Sequence, residues 1–154
     1  MSEYSELTAM LFLETFFSLR NVLKYEIHDQ KHNMTMINFN ILGVLNVNES
    51  LPMKEIAALL NIKRSNLTKY IDQLLTHDFV VRKTSATDRR LILIYLTEKG
   101  REIYSKYRHL FMKCLGKKFE FFSEDEIKKL NDALITISVL MQRFREQGEQ
   151  VCTI

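Results

Sequence analysis

Met53-Lys-Glu-Ile-Ala-Ala-Leu-Leu60, Asn61-Ile-Lys63 and Arg64-Ser-Asn-Leu-Thr-Lys-Tyr-Ile-Asp-Gln-Leu-Leu75 follow one another and read as helix, polar break, helix. The first segment places Ile56, Leu59 and Leu60 on one helical face. In the second, Leu67, Ile71, Leu74 and Leu75 recur at spacings of four, seven and eight, the inward stripe of an amphipathic helix. Its opposite face keeps Arg64, Ser65, Asn66, Thr68 and Lys69. Two short helices with so brief a joint cross steeply, which turns the polar face of the second one outward. This is the geometry of a helix-turn-helix reader.

A ribbon follows at once. Phe79-Val-Val-Arg-Lys-Thr84 and Leu91-Ile-Leu-Ile-Tyr-Leu96 are rich in β-branched and aromatic residues. Between them, Ser85-Ala-Thr-Asp-Arg-Arg90 is a polar loop ending in two arginines, the pattern of a basic wing. Thr97 precedes Glu98 as a helix N-cap with an acid in the first turn. From Lys54 to Arg101 there are ten Lys or Arg against five Asp or Glu, a local excess of five in a chain whose net charge is +3. The basic charge therefore sits in this block and not in the flanks, as a phosphate-facing patch requires.

The chain has 154 residues, enough for one cored domain with long attached helices. One Pro and four Gly leave few breakers and favour long helices. No apolar run approaches about 18 uncharged residues, so no membrane span is expected. The opening Met1-Ser-Glu-Tyr-Ser-Glu has acids where a signal peptide would be basic, and the cytoplasm is the expected compartment. Cys114 and Cys152 show no ligand spacing and read as a buried small residue and a tail residue.

Outside the block, residues 5 to 30 read as one helix apolar on two sides, Leu11 among its apolar residues. A helix of that kind must bury both faces, one of them against another element or chain. Thr35 caps a second helix with Ile37, Ile41, Leu42 and Leu45 inward. Leu51 and Met53, around Pro52, can add a short third strand at the ribbon's edge. Glu98 to Phe122 reads as a long helix with Ile103, Tyr107, Leu110, Phe111, Cys114 and Leu115 as its apolar set. Ser123 and Glu126 form a capping box for a last helix. Along that helix Ile127, Leu130, Leu134, Ile137, Met141 and Phe144 make a 3-4 seam, which reads, with Leu11, as a dimer interface.

The order of these elements resembles the MarR family of winged-helix transcription regulators over nearly the whole chain. Asp88-Arg89-Arg90 looks like the family's D-x-R wing tip, and Leu96-Thr-Glu-Lys-Gly100 like its L-T-x-x-G junction. Glu55-Ile-Ala57 and Arg64 to Leu75 match its reader pair in position, and Thr35 with Asn38 the start of its second helix. The resemblance implies a mainly α fold with a small β-hairpin wing, long terminal helices forming a dimerisation region, and no cofactor. It implies one domain over 1–154, with a DNA-binding lobe at 34–100 and a helical dimerisation lobe at 1–33 and 101–154. It also implies a homodimeric regulator, a repressor, on a pseudo-palindromic double-stranded DNA operator. Arg64, Ser65, Asn66, Thr68 and Lys69 would enter the major groove, and Arg90, oriented by Asp88 and accompanied by Arg89, the minor groove. A small-molecule effector is the family's usual input, and Tyr25, His28, Phe39 and Phe111 are the expected pocket. Three features depart from the family. Lys63 replaces the usual Ser or Thr cap of the reader helix, the wing lacks a Pro in Thr84-Ser-Ala-Thr87, and the first helix has no Cys.

No enzyme motif stands out, because no glycine cluster forms a phosphate loop and no nucleophile has a recognisable partner. His28 and His32 sit four apart, which can present two metal ligands on one face, but they read as solvated histidines at a helix end and no metal is expected. The reading from a different class is a winged-helix protein-interaction module that does not read DNA sequence. The polar outward face of the second helix favours DNA, since a docking surface needs exposed apolar anchors.

Overall fold

The computed structural model describes residues 3–22, 32–85, 88 and 90–146. Its elements in order are α1 (Glu3–Val22), α2 (Met36–Asn48), β1 (Ser50–Pro52), α3 (Met53–Leu59), α4 (Arg64–Thr76), β2 (Val80–Thr84), β3 (Ile92–Leu96), α5 (Glu98–Phe119) and α6 (Glu124–Glu146). This is the mainly helical chain with a small β wing that the sequence predicts. The chain divides into two compact units, Met1–Met112 and Lys113–Ile154.

In the first unit, α2 starts at Thr35, whose hydroxyl accepts the Asn38 N–H while the Asn38 side chain accepts the Thr35 N–H. Asn38 is fully buried, and its amide nitrogen also donates to the Tyr70 carbonyl on α4. A polar side chain is tolerated there because every group it carries finds a partner. Ile41, Leu42 and Leu45 of α2 meet Ile56 of α3, Leu67, Ile71 and Leu74 of α4, and Ile94 of β3 in one core, each with no exposed surface. Removing such side chains from water is the main force holding these short elements together.

Two expectations need correction here. Leu59 is 57% exposed, and Ala57 is buried in its place with Leu60 half-buried at the helix end. At about 100° per residue the inward face of so short a helix centres on Ile56, Ala57 and Leu60, and Leu59 falls to one side of it. Cys114, expected as a buried small residue, is exposed on α5. On that helix only Gly100, Ile103 and Tyr107 are buried, and Leu110 is 40% exposed.

The sheet has the order β1-β3-β2, with both pairings antiparallel. Its third strand is the short edge strand expected around Pro52, which pairs Leu51 with Ile94 and Pro52 with Leu93. Pro52 then serves as the N-cap position of α3. Val80, Ile94 and Leu96 face the core, while Arg82, Lys83 and Thr84 run outward toward the tip.

The junction of β3 with α5 explains the T-x-x-G pattern. Thr97 Oγ1 accepts the Gly100 N–H at 2.9 Å and lies 2.7 Å from the Asp78 carbonyl, to which it donates. Asp78 itself has a left-handed backbone with φ of 58°. A Cβ on Gly100 would stand 2.1 Å from the Phe79 carbonyl oxygen. Glycine alone lets α5 start against the strand there.

The second unit contains the C-terminal end of α5 and all of α6. α5 ends at Phe119, three residues short of the expected Phe122, because a tight turn with Phe122 N–H on the Phe119 carbonyl frees Ser123 to cap α6. Ser123 N–H and Oγ both donate to Glu126 Oε2 at 2.8 Å, and Ser123 Oγ accepts the Glu126 N–H. These bonds, the main-chain one first, hold the Glu126 carboxyl below its ordinary value. No helix among the described residues is long and apolar enough to cross a membrane.

Candidate nucleic-acid interface

The stripe of Leu67, Ile71 and Leu74 seats α4 against the core, so its other face must look outward. Arg64, Ser65, Asn66, Thr68 and Lys69 are all exposed. They occupy the first two turns, beside the positive end of the helix dipole. Lys63, at the cap position, makes no side-chain capping bond, consistent with the loss of the family's hydroxyl there. The Thr68 hydroxyl donates to the Arg64 carbonyl at 3.2 Å, which leaves its oxygen as an acceptor and its methyl free. Farther along, Asn66, Lys69, Tyr70 and Gln73 line one open groove. Gln73 was not legible as a site residue. Its side-chain amide donates to the carbonyls of His32 and Asn33, about forty positions away in sequence, and ties α4 to the turn before α2.

The wing stands beside α4 and is linked to it. Arg82 on β2 donates to Asp72 on α4, with 2.6 Å between charged atoms. Lys83 lies over the Tyr95 ring at 5.1 Å from its centre. At the tip, Asp88 Oδ1 accepts the Arg90 main-chain N–H at 2.9 Å, while Asp88 N–H lies on the Ser85 hydroxyl and Leu91 N–H on the Asp88 carbonyl. Ser85, which is buried, and exposed Asp88 are thus bonded to each other in the loop between β2 and β3. The Arg90 and Asp88 side chains are exposed; Arg89 lies outside the described residues.

A basic loop on a three-stranded ribbon, packed beside an amphipathic helix with a polar outward face, is an arrangement shared with known regulators. The description of the family called Transcriptional regulator SarA/Rot matches residues 24–107, more than half of the chain. The chain belongs to the SarA/Rot family of transcriptional regulators. This regulator is 22% identical over 147 residues to the HTH-type transcriptional regulator MhqR of Bacillus subtilis, covering 96% of this chain and 100% of MhqR. It is 27% identical over 120 residues to the HTH-type regulator YpoP of the same organism, covering 78% and 83% of the two chains. Its fold is that of the multiple-antibiotic-resistance regulator MarR of E. coli, with a TM-score of 0.65 at 20% identity over 89% of this chain and 97% of that one. FabT of Streptococcus pneumoniae, solved in complex with DNA, superposes with a TM-score of 0.64 at 18% identity over 92% and 99%. The MarR-type winged helix is thereby the fold of this regulator, and its family is one of transcription regulators, not enzymes.

The remaining expected residues are spread over other elements of the regulator. Phe39 stacks on Tyr104 with ring centres 5.1 Å apart and stands 6.3 Å from Phe111. Tyr104 was missed by sequence reasoning, although it lies one position from Ile103 of the inward stripe. Tyr25 and His28 of the same expected pocket lie outside the described residues. Leu11 on α1 is 51% exposed, and on α6 Leu134 and Ile137 are 43% and 42% exposed with Ile127, Leu130 and Met141 half-buried. Phe144 lies on α6 with its side chain outside the described set. His32 sits in the turn before α2, half-buried, with its ring against His77 and Phe79.

Proposed function

We propose that this SarA/Rot-family protein is a sequence-specific double-stranded DNA-binding repressor that acts as a cytoplasmic homodimer on a pseudo-palindromic operator and is released by a small-molecule signal. The observation that carries this reading is the outward face of α4, where Arg64, Ser65, Asn66, Thr68 and Lys69 are exposed together beside a wing bearing Arg82, Lys83 and Arg90. The division of labour follows the expected lobes, with residues 34–100 on DNA and residues 1–33 and 101–154 pairing the subunits.

In this reading α4 enters the major groove. Arg64 offers a bidentate donor pair to guanine and Asn66 a donor and acceptor to adenine, while Thr68 turns its acceptor oxygen or methyl to a base edge. Ser65 and Lys69 hold phosphates, which fix the register of the helix on the duplex. Arg90 reaches the adjacent minor groove, where a narrow A·T-rich stretch concentrates negative potential. Arg89 supports it at the wing tip. Asp88 orients Arg90 through its main chain, since the bond it makes is to the Arg90 N–H. Phe39 and Phe111, with Tyr25 and His28, form the effector pocket.

Selection of bound duplexes from a random library at physiological salt tests this function. An inverted repeat with half-site centres about one helical turn apart is the expected product. A pool that binds only at low salt and enriches no sequence would indicate phosphate attraction alone and favour a protein-docking role for the winged helix. On the selected operator, Arg90→Ala should bind more weakly than wild type while keeping its melting temperature. Equal affinity would remove the wing from the interface.

A further inference from the structure

We propose that His32 and His77 form a two-imidazole site for one divalent transition-metal ion of the zinc or nickel class, bridging the turn before α2 to the C-terminal end of α4. Their rings come from separate elements. His32 lies in the turn at positions 32–33, and His77 is the C-cap of α4. Both are half-buried, and their ring centres are 5.4 Å apart with planes at 87°. Two imidazoles sharing a tetrahedral ion through bonds of about 2.0–2.1 Å hold their ring centres about 5.2 Å apart, because each centre lies about 1.2 Å behind its nitrogen. The observed spacing of 5.4 Å is close to that of a chelated pair, and ion binding would have to turn one nitrogen of each edge-to-face ring toward a common point.

The frames that carry these rings are fixed independently of any ion. Gln73 Nε2 donates to the His32 carbonyl at 3.4 Å and also to that of Asn33. On the other side, Asp78 N–H donates to the Leu75 carbonyl at 2.9 Å and holds the end of α4. Phe79 completes a triangle of rings, 5.4 Å from His32 and 5.5 Å from His77, and forms an apolar wall on one side. Such preorganisation lowers the ordering cost of binding. Among the described residues no set of three or more His, Cys, Asp or Glu side chains gathers to hold a metal, so water completes the coordination of this pair. Imidazole nitrogen and water suit zinc, nickel or copper, and exclude the thiolate-rich class. An ion held here would fasten the turn before α2 to α4, adding to the link that Gln73 makes.

Ion binding can be measured without DNA, so the test stands apart from the DNA-binding reading. Purified full-length protein would be titrated with Zn2+, and separately with Ni2+, against a chromophoric chelator. Wild type is compared with His32→Phe, His77→Phe, His28→Ala and His109→Ala. Phenylalanine retains a ring against Phe79 and removes the nitrogens. Wild type should bind one ion per chain, each Phe variant should bind at least about tenfold more weakly, and His109→Ala should match wild type. In wild type alone, the imidazole NMR resonances of His32 and His77 should shift together on adding Zn2+, a readout that needs no variant to fold. The proposal is overturned if wild type takes up no ion, if His77→Phe retains full affinity, or if the His77 resonance is unmoved. Loss in His28→Ala with retention in His77→Phe would place the ion on the pair four residues apart instead.

Discussion

Gly100 shows what one missing methyl group permits. A Cβ there would stand 2.1 Å from the Phe79 carbonyl oxygen and 2.7 Å from Leu96 Cδ1. The leucine end can move, but the carbonyl belongs to the backbone that also receives Thr97 N–H. Gly100→Ala should therefore destabilise by about 3 kcal/mol, the upper end of the usual overpacking cost, measured by urea unfolding. A loss below a few tenths would mean that α5 slides freely on β2. On the proposed DNA-binding reading, base recognition would also rest on single side chains. Arg64→Ala or Asn66→Ala should leave the melting temperature unchanged and cost about 1–3 kcal/mol of discrimination at the base pair each contacts. Repeating the duplex selection with each variant checks this, since a true base contact relaxes one position in each half-site, whereas a phosphate contact weakens every sequence alike.

At the scale of elements, sequence legibility followed the range of the interactions. The stripe of Leu67, Ile71 and Leu74 fixed both the inward face of α4 and the exposure of Arg64 to Lys69 opposite it, because helical periodicity is local. Thr97 and Gly100 were legible as a pattern, but the reason for the glycine lies in the carbonyl of Phe79, just before β2 and twenty-one positions earlier. Leu59 misled because a helix of seven residues is too short for its periodicity to fix a face. The bonds of Asn38 to Tyr70 and of Gln73 to His32 join residues 32 and 41 positions apart, and no local signal announces them. The Ser123 capping box was both legible and titratable. Glu126 has its folded pKa lowered by the Ser123 main-chain N–H first and the hydroxyl second. A depressed folded pKa gives stability that is present above the unfolded value and is lost as pH falls through the folded one. The α6 start should therefore fray as acid protonates Glu126. In Ser123→Ala the Glu126 midpoint should rise part of the way to the ordinary carboxylate value, because the main-chain bond survives. An NMR pH titration of the Glu126 side chain reads this directly, and an unchanged midpoint would mean the hydroxyl contributes nothing.

For the whole molecule, the described surface of α1 poses the largest energetic problem. Every described side chain from Tyr4 to Asn21 is exposed, and Leu7, Met10, Leu11, Phe12, Leu13, Phe16 and Phe17 each show 51–56% of their surface. An isolated helix of this length is marginal in water, and one that is apolar on several sides gains its stability from burial. On α6, Leu134, Ile135, Ile137, Val139 and Leu140 are likewise 42–64% exposed. Two such helices in one chain exceed the apolar surface that a soluble monomer ordinarily shows. On the proposed homodimeric reading a second copy of the chain would cover them, and a two-fold interface would use the same patches twice. Folding would then be linked to association, and the unfolding midpoint should rise with protein concentration. Leu134→Glu combined with Ile137→Glu should shift sedimentation toward the monomer, lower the melting temperature and weaken operator binding, since one reader helix alone contacts half a site. A concentration-independent midpoint with monomer mass in the wild type would show that α1 and α6 find their cover within one chain, and the operator should then be a single half-site.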